Sequence, residues 1–234
     1  MNTLHLLPNG LGPKDLTPWL APESVEAVRC CRRFIAESQS AVNRLLSGIG
    51  SLRDAPRPDV FLLNEHSDAR DLVELTRWFR DPSDIGVVSD AGCPAVADPG
   101  AAAVRMAHHA GWTVVPHVGP SSIVLALMGS GLNGQAFAFK GYLPRDTSRR
   151  EKVWREMLEG LNRRKETQLF MEPPYRNAQG FSECLQRLPG DIGLCVAVDL
   201  TMPEAVLITR TVDEWRETAM PALQKRPCLF VIGQ

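Results

Sequence analysis

What this chain lacks narrows it first. Its 234 residues contain no apolar run near the ~18 residues that crossing a bilayer requires. The opening stretch, Met1 to Gly10, does not have the layout of a secretory signal. Six cysteines (Cys30, Cys31, Cys93, Cys184, Cys195, Cys228) show no C-x-x-C spacing, so they read as small buried hydrophobes in a reducing compartment. Cys93 is the exception, because it sits in a loop crowded with glycine. No group of Cys, His and carboxylates has metal-ligand spacing, and no metal is expected. The charges are balanced, 26 basic against 27 acidic for a net −1, which excludes the overall basic footprint of a dedicated nucleic-acid binder. There is no Walker A sequence, no internal repeat and no low-complexity tract. These absences point to a cytoplasmic globular protein with no membrane association.

What is present is an alternation of short β-branched runs and amphipathic stretches. Strands are expected at Leu4 to Leu7, Phe34 to Ala36, Val60 to Leu63, Ile85 to Val88 and Thr113 to Val118. Helices are expected at Glu23 to Cys31, Asp68 to Arg80 and Pro99 to Ala110. This order predicts an α/β fold whose N-terminal half holds a mostly parallel sheet. The second half has closer strand spacing: Ala136 to Phe139, Thr167 to Met171, Gly193 to Val198, Ala205 to Thr209 and Cys228 to Ile232. Between them lie helical patterns at Ser121 to Met128, Arg145 to Gly160 and Val212 to Ala219. The expectation is a second α/β domain with a mixed sheet, residues 1–117 forming the first domain and 118–234 the second.

The segment from Val87 to Pro120 carries the most chemistry. A buried strand ends in Ser89-Asp90-Ala91-Gly92-Cys93-Pro94-Ala95-Val96-Ala97-Asp98-Pro99-Gly100. Gly92, Gly100 and Gly119 permit positive φ or a close backbone approach, and Pro94 and Pro99 stiffen the loop. Asp98 suits a helix N-cap with Pro99 at the first helical position. In an open α/β sheet, ligands bind at the carboxyl ends of strands, so this loop is the leading candidate site.

Other patterns weigh less. Gly129-Ser130-Gly131-Leu132-Asn133-Gly134 matches the dinucleotide fingerprint, but a helix precedes it and a strand follows, so it reads as a helix cap and turn. His108-His109 reads as a solvated helix face. Glu65 and His66 stand at a strand end and are candidate catalytic groups. Ser121-Ser122 stands at a helix start, suited to capping or to ligand hydrogen bonds. From Arg145 to Lys165 eight basic residues face four acidic ones, a candidate phosphate-contacting patch for RNA or a ribosomal subunit.

Five segments then occur in order: Ser89 to Gly100, Val118 to Ser122 (V-G-P-S-S), Gly129 to Leu132 (G-S-G-L), Gly141 to Pro144 (G-Y-L-P) and Glu172 to Arg176 (E-P-P-Y-R). On these the chain resembles the tetrapyrrole methylase superfamily of S-adenosylmethionine (SAM) dependent methyltransferases. The nearest branch is the bacterial small-subunit rRNA cytidine 2'-O-methyltransferases. The resemblance runs from about Leu4 to the last residue. It implies a two-domain α/β homodimer with SAM in the cleft between domains, held largely by backbone. By motif, the cofactor contacts fall on Gly92, Cys93, Pro94 and Val96, on Ser121 and Ser122, on Met171 and Pro174, and on Leu200. Glu37 and Glu172 join Glu65 and His66 as candidate bases, since both lie in family motifs. The branch's P-T-P-I-G-N-L is Pro8-Asn9-Gly10-Leu11-Gly12 here, and its A-E-D-T-R is Ala36-Glu37-Ser38-Gln39-Ser40, without the second acid and the base. Its R-E-L-T-K is Val198-Asp199-Leu200-Thr201-Met202. The methyl acceptor is expected to be rRNA ribose, with a tetrapyrrole or other small molecule, or a SAM-binding regulatory role, as the alternatives.

Overall fold

The structure is a computed structural model that describes residues 2–12, 14–52, 56–64 and 66–234. The chain separates into two compact units, Met1–Ser121 and Ser122–Gln234. The division falls just after the Gly119-Pro120 turn, a little later than the expected boundary at His117.

In the first unit, β1 (Thr3–Leu6), β2 (Arg33–Ala36), β3 (Asp59–Leu62), β4 (Ile85–Val88) and β5 (Thr113–Pro116) form one sheet in the order β3-β2-β4-β1-β5. Every pairing is parallel. Alternation along the strands feeds two cores. Phe34, Ala36 and Val88 join Val28 of α1 (Pro22–Cys30) and Val42 and Leu45 of α2 (Gln39–Gly48). Ile35, Ile85 and Val87 join Leu75 of α3 (Ala69–Trp78) and Ala103 and Ala107 of α4 (Gly100–His109) on the other face. Near-continuous apolar strands covered on both faces are what an all-parallel sheet requires. Gly86 is sterically forced: a Cβ there would lie 2.7 Å from Leu7 and 2.8 Å from Phe34.

The second unit holds β6 (Phe137–Tyr142), β7 (Thr167–Met171), β8 (Gly193–Val198), β9 (Val206–Thr211) and β10 (Cys228–Gly233), ordered β6-β7-β10-β8-β9. Only β6 and β7 run parallel; the other pairs are antiparallel, giving the expected mixed sheet. On one face Phe230 and Ile232 pack with Trp154 and Met157 of α6 (Thr147–Arg164), Phe181 of α7 (Asn177–Arg187) and Trp215 of α8 (Val212–Arg216). On the other, Leu229 and Val231 meet Ala126 and Leu127 of α5 (Ser122–Ser130).

Two helices, α2 and α7, lie where no element was expected. Both have polar starts: Ser38 caps α2 by accepting from the Ala41 N–H, and a 3-10 turn at Pro174–Arg176 leads into α7. The glycine fingerprint at 129–134 is a helix end. Gly131 takes φ +70° just after α5, and the Ser130 hydroxyl accepts from the Leu132 N–H. Among the described residues no helix is long and apolar enough to cross a membrane.

Phe230 is fully buried and stacks on Phe170 with ring centroids 5.1 Å apart. Phe230→Ala is expected to destabilise the chain by about 3–5 kcal/mol, read as a lower denaturant midpoint at unchanged slope.

Candidate functional site

The carboxyl ends of the parallel strands carry five loops, and the connections after the neighbouring strands β2 and β4 leave toward opposite edges of the sheet. This is the switch point at which open α/β sheets bind ligands. Here the loops are tied by main chain. The Asn9 N–H donates to Gly92 O (2.9 Å) and the Gly92 N–H returns to Asn9 O (3.2 Å), a two-residue antiparallel bridge. The Asn9 side chain is buried and its Nδ2 donates to Ala41 O and to Ser89 O, both at 3.1 Å, while its Oδ1 accepts from the Gly10 N–H. One amide thus links the loops after β1 and β4 to the first turn of α2. The Ser89 hydroxyl adds bonds to the carbonyls of Ala91 and Gly92.

The glycine loop is wound through unusual backbone. Gly92 has φ +73°, and Ala95 and Ala97 have φ +65° and +59°. Left-handed non-glycine residues cost of order 1 kcal/mol each and persist only where surroundings over-determine them. Asp98 does so: its Oδ2 accepts from the Ala95 N–H (2.9 Å) and its Oδ1 from the Gly100 N–H (2.6 Å). Asp98 was expected as the N-cap with Pro99 first in the helix; instead Pro99 is the N-cap, α4 begins at Gly100, and Asp98 stands one residue earlier, accepting from the Gly100 N–H from outside the helix. The N–H groups of Cys93, Val96 and Ala97 carry no intramolecular hydrogen bond among the described residues. The Cys93 thiol, pushed up in pKa by burial and so kept protonated, donates to Pro120 O (3.6 Å). Pro94 is buried and Val96 is half exposed.

At the neighbouring strand end, Glu37 Oε2 accepts from the Asp90 N–H (2.9 Å). Asp90 Oδ1 accepts from the Ser38 hydroxyl (2.6 Å), which also contacts the Ser40 hydroxyl (2.9 Å). Arg44 Nη2 donates to Asp90 O (2.8 Å) and lies 3.4 Å from its Oδ1. Where the expected acid and base are missing from Ser38 and Ser40, a carboxylate and a guanidinium from Asp90 and Arg44 stand beside the same hydroxyls. His66 follows β3 in an exposed turn, its N–H on Asn64 Oδ1. Glu65, the remaining candidate base of this group, lies outside the described residues.

In the second unit, Met171 ends β7 and Leu200 follows β8. Both pack with Ile123, the neighbour of Ser122 on α5, against one patch of core. Leu200 is flanked by Asp199 at φ +47° and Thr201 at φ +76°, a second strained turn held by Arg226 Nε on Asp199 Oδ2 (2.6 Å). Pro174 is exposed and opens the 3-10 turn. Glu172 departs from the role expected of it. Its side chain is wholly buried, with Arg150 Nη2 at 2.5 Å from Oε1 and Arg176 Nη2 at 2.7 Å from Oε2. Burial pushes its carboxyl up while the two guanidiniums pull it down. A carboxylate enclosed by two arginines is an ion-pair anchor for the turn after β7, with no oxygen presented outward. Arg150 also binds Glu183, so it is buried and unavailable to the basic surface in which it was counted. Arg163 and Arg164 pair with Glu159 and Glu166; Arg149, Lys152 and Arg155 remain exposed on α6. No cluster of three or more metal-ligating side chains occurs among the described residues.

Asn9, Asp90 and Arg44 were not among the expected site residues. Asn9 and Asp90 lay in the right loops, but the contacts that distinguish them span 32 to 80 positions in the sequence.

The fold defines a class. The solved methyltransferase CobJ matches with a TM-score of 0.66 at 14% identity, covering 100% of this chain and 95% of that one. The uroporphyrin-III-C-methyltransferase from Thermus thermophilus matches with a TM-score of 0.61 at 16% identity, covering 100% and 94%. No protein-family profile matches the chain. Its sequence relatives nevertheless agree with one another. The protein named ribosomal RNA small subunit methyltransferase I of Bacillus subtilis is 29% identical over 214 residues, 92% of this chain and 69% of its own length. Its namesake in Xylella fastidiosa is 34% identical over 187 residues (80% and 62%), and that of Micromonospora olivasterospora 31% over 213 (91% and 64%). The chain spans less than two thirds of the length of the latter two. In sequence the chain is similar to the small-subunit ribosomal RNA methyltransferases, and in fold to these two solved methyltransferases.

Burial raises the Asp98 carboxyl to about 6, against the two backbone N–H groups, with the charge of Glu37 adding to the rise. The folded pKa lies above the ordinary aspartate value of 3.8, so the folded chain binds more protons than the unfolded one between those limits. The contribution of this group is therefore full below about pH 4 and is lost as pH climbs to about 6. Carbon NMR of the Asp98 carboxyl is expected to show a midpoint near 6; a midpoint at the usual value for an aspartate would contradict its burial.

Proposed function

We propose that the chain is a SAM-dependent methyltransferase acting on small-subunit ribosomal RNA, at a ribose hydroxyl. The observation that carries this reading is the glycine loop at the switch point. It displays unbonded N–H groups of Cys93, Val96 and Ala97 on a backbone that Asp98 and Asn9 hold rigid. Those groups suit a ligand rich in hydrogen-bond acceptors and held through main chain. Ser121 and Ser122, and Met171, Pro174 and Leu200 of the second unit, are the further positions that the resemblance assigns to the cofactor. SAM supplies a methyl group on a sulfonium; what this chain has to supply is alignment in a dry site. The names of the sequence relatives support rRNA as the acceptor, and the recovery of a carboxylate and a guanidinium beside Ser38 supports a working enzyme over a weakened one. Glu37 serves as an anchor for Asp90 in this reading. The exposed side chains of Arg149, Lys152 and Arg155 are the part of the α6 face left to meet RNA phosphate.

The experiment is calorimetry with SAM and S-adenosylhomocysteine, followed by transfer of labelled methyl to small ribosomal subunits lacking the modification. Wild type is expected to bind both ligands. Gly92→Val, which forces a branched side chain at φ +73° and 3.3 Å from Leu11, is expected to lose binding at least a hundredfold while retaining a cooperative melt. Unchanged affinity in that variant would discard the loop as the site.

The reading includes a homodimer. Val124, Met128, Phe137 and Leu207 of the second unit expose 48%, 73%, 44% and 39% of their surface, more apolar area than one α/β unit needs to leave in water. Light scattering at micromolar concentration should return twice the mass of the chain; the monomer mass would remove this part of the reading.

A further inference from the structure

Beside the glycine loop, within the first unit, lies a cavity of about 1090 Å³. That is just above the usual range for small-ligand sites and ample for a nucleotide. Its walls come from the segment after β1 (Asn9 to Gly12 and Lys14 to Thr17), from the end of α2 (Arg44, Ser47, Gly48, Gly50) and from Asp90 and Ala91. The shape depends on the packing of the first segment over the second. The Leu16 N–H donates to Gly48 O (2.9 Å), and a Cβ on Gly48 would lie 2.5 Å from Leu16. Gly50 has nothing within 4 Å of its absent Cβ.

The chemistry of the wall is specific. Asp90 is fixed by four contacts: its N–H to Glu37, its O to Arg44, and its Oδ1 to Ser38 and Arg44. Its Oδ2 has no partner among the described residues. A carboxylate oxygen held in place and left open selects a donor, such as a hydroxyl. The Lys14 ammonium is exposed and unpaired among the described residues, and selects an anion. Leu11 and Leu16 supply apolar surface between them. Asp15 is committed to the Thr17 N–H, which limits its repulsion of an anion. A ligand that offers a hydroxyl, a phosphate and a flat apolar face is a ribonucleotide.

We propose that this cavity receives a nucleotide of single-stranded RNA, the free Oδ2 of Asp90 accepting the hydrogen bond of a ribose hydroxyl and Lys14 meeting the adjoining phosphate. This rests on the proposed rRNA methyltransferase activity and adds where the RNA sits and what distinguishes it from DNA. Segment 8–12, part of which lines the cavity, and segment 38–40, whose Ser38 bonds to Asp90, are among those in which the chain departs from the motifs of the branch it resembles.

The test uses the full chain without cofactor. Titration of the ¹⁵N-labelled protein with a six-nucleotide oligocytidylate is expected to shift the amides of Gly10, Gly12, Gly48 and Gly50. By fluorescence anisotropy, the ribo-oligomer should bind about tenfold more tightly than its 2'-deoxy counterpart, the effect of one hydrogen bond to a charged group. Asp90→Asn should bring that ratio toward one with an unchanged melting temperature. Lys14→Ala should weaken both oligomers equally and flatten the salt dependence by about one phosphate contact. Shifts confined to α6, absence of binding, or an intact ribo-to-deoxy ratio in Asp90→Asn would each overturn the proposal. Failure of SAM to bind would remove the proposed activity and leave the RNA titration standing, so the two failures are separable.

Discussion

The Asn9 carboxamide is the interaction on which the site depends. It is buried, it uses both ends, and it ties the loops after β1 and β4 to the first turn of α2. A parallel sheet orders its strands by a hydrogen-bond ladder, but its loops lie past the last rung. The Asn9–Gly92 bridge adds a rung beyond the sheet. It fixes the start of the glycine loop while Asp98 fixes its end. With both ends held, Ala95 and Ala97 can remain left-handed between them, and their strain is offset by bonds elsewhere.

The second unit solves a similar problem with charge. Its loop after β7 is anchored by Glu172 between Arg150 and Arg176, and its loop after β8 by Asp199 on Arg226. Buried ion pairs are weak sources of net stability, because desolvation takes back most of the attraction. Their value here is positional. Removal of either partner would leave a buried charge, so the turns that carry Met171, Pro174 and Leu200 have little freedom to rearrange. The Trp154 indole and Gln179 complete the network by donating to Glu183, whose carboxyl is held below the usual range despite its burial.

Ordinary physical chemistry explains why a motif and a role can part company. Glu172 sits in a recognisable motif at a strand end, the position where a proton acceptor is sought. Arg150 and Arg176 are 22 and 4 residues from it, and only their convergence turns it from a candidate base into an anchor. Arg150 likewise belongs by sequence to a basic helix face, yet it turns inward to reach two carboxylates. Asp90 moved the other way, from an unremarked loop residue to a carboxylate with one oxygen bonded and one open.

Local chemistry written along the chain was sufficient for much of this protein. Alternating β-branched runs define the strands and Gly131 defines a helix end, because each acts within a few residues of itself. The sheet types followed too, since continuous apolar strands and closely spaced strands leave different spacings behind. Helices α2 and α7 were not read from the sequence, although Ala41, Val42 and Leu45 on one and Phe181 and Cys184 on the other recur at helical spacing. What only the tertiary structure decided was which side chains meet. Asn9 reaches Ala41 and Ser89, Asp90 receives Ser38 and Arg44, and the cavity between Leu16 and Gly48 exists because two segments cross. These contacts join residues that the chain holds far apart, and only the assembled sheet brings them within hydrogen-bond reach.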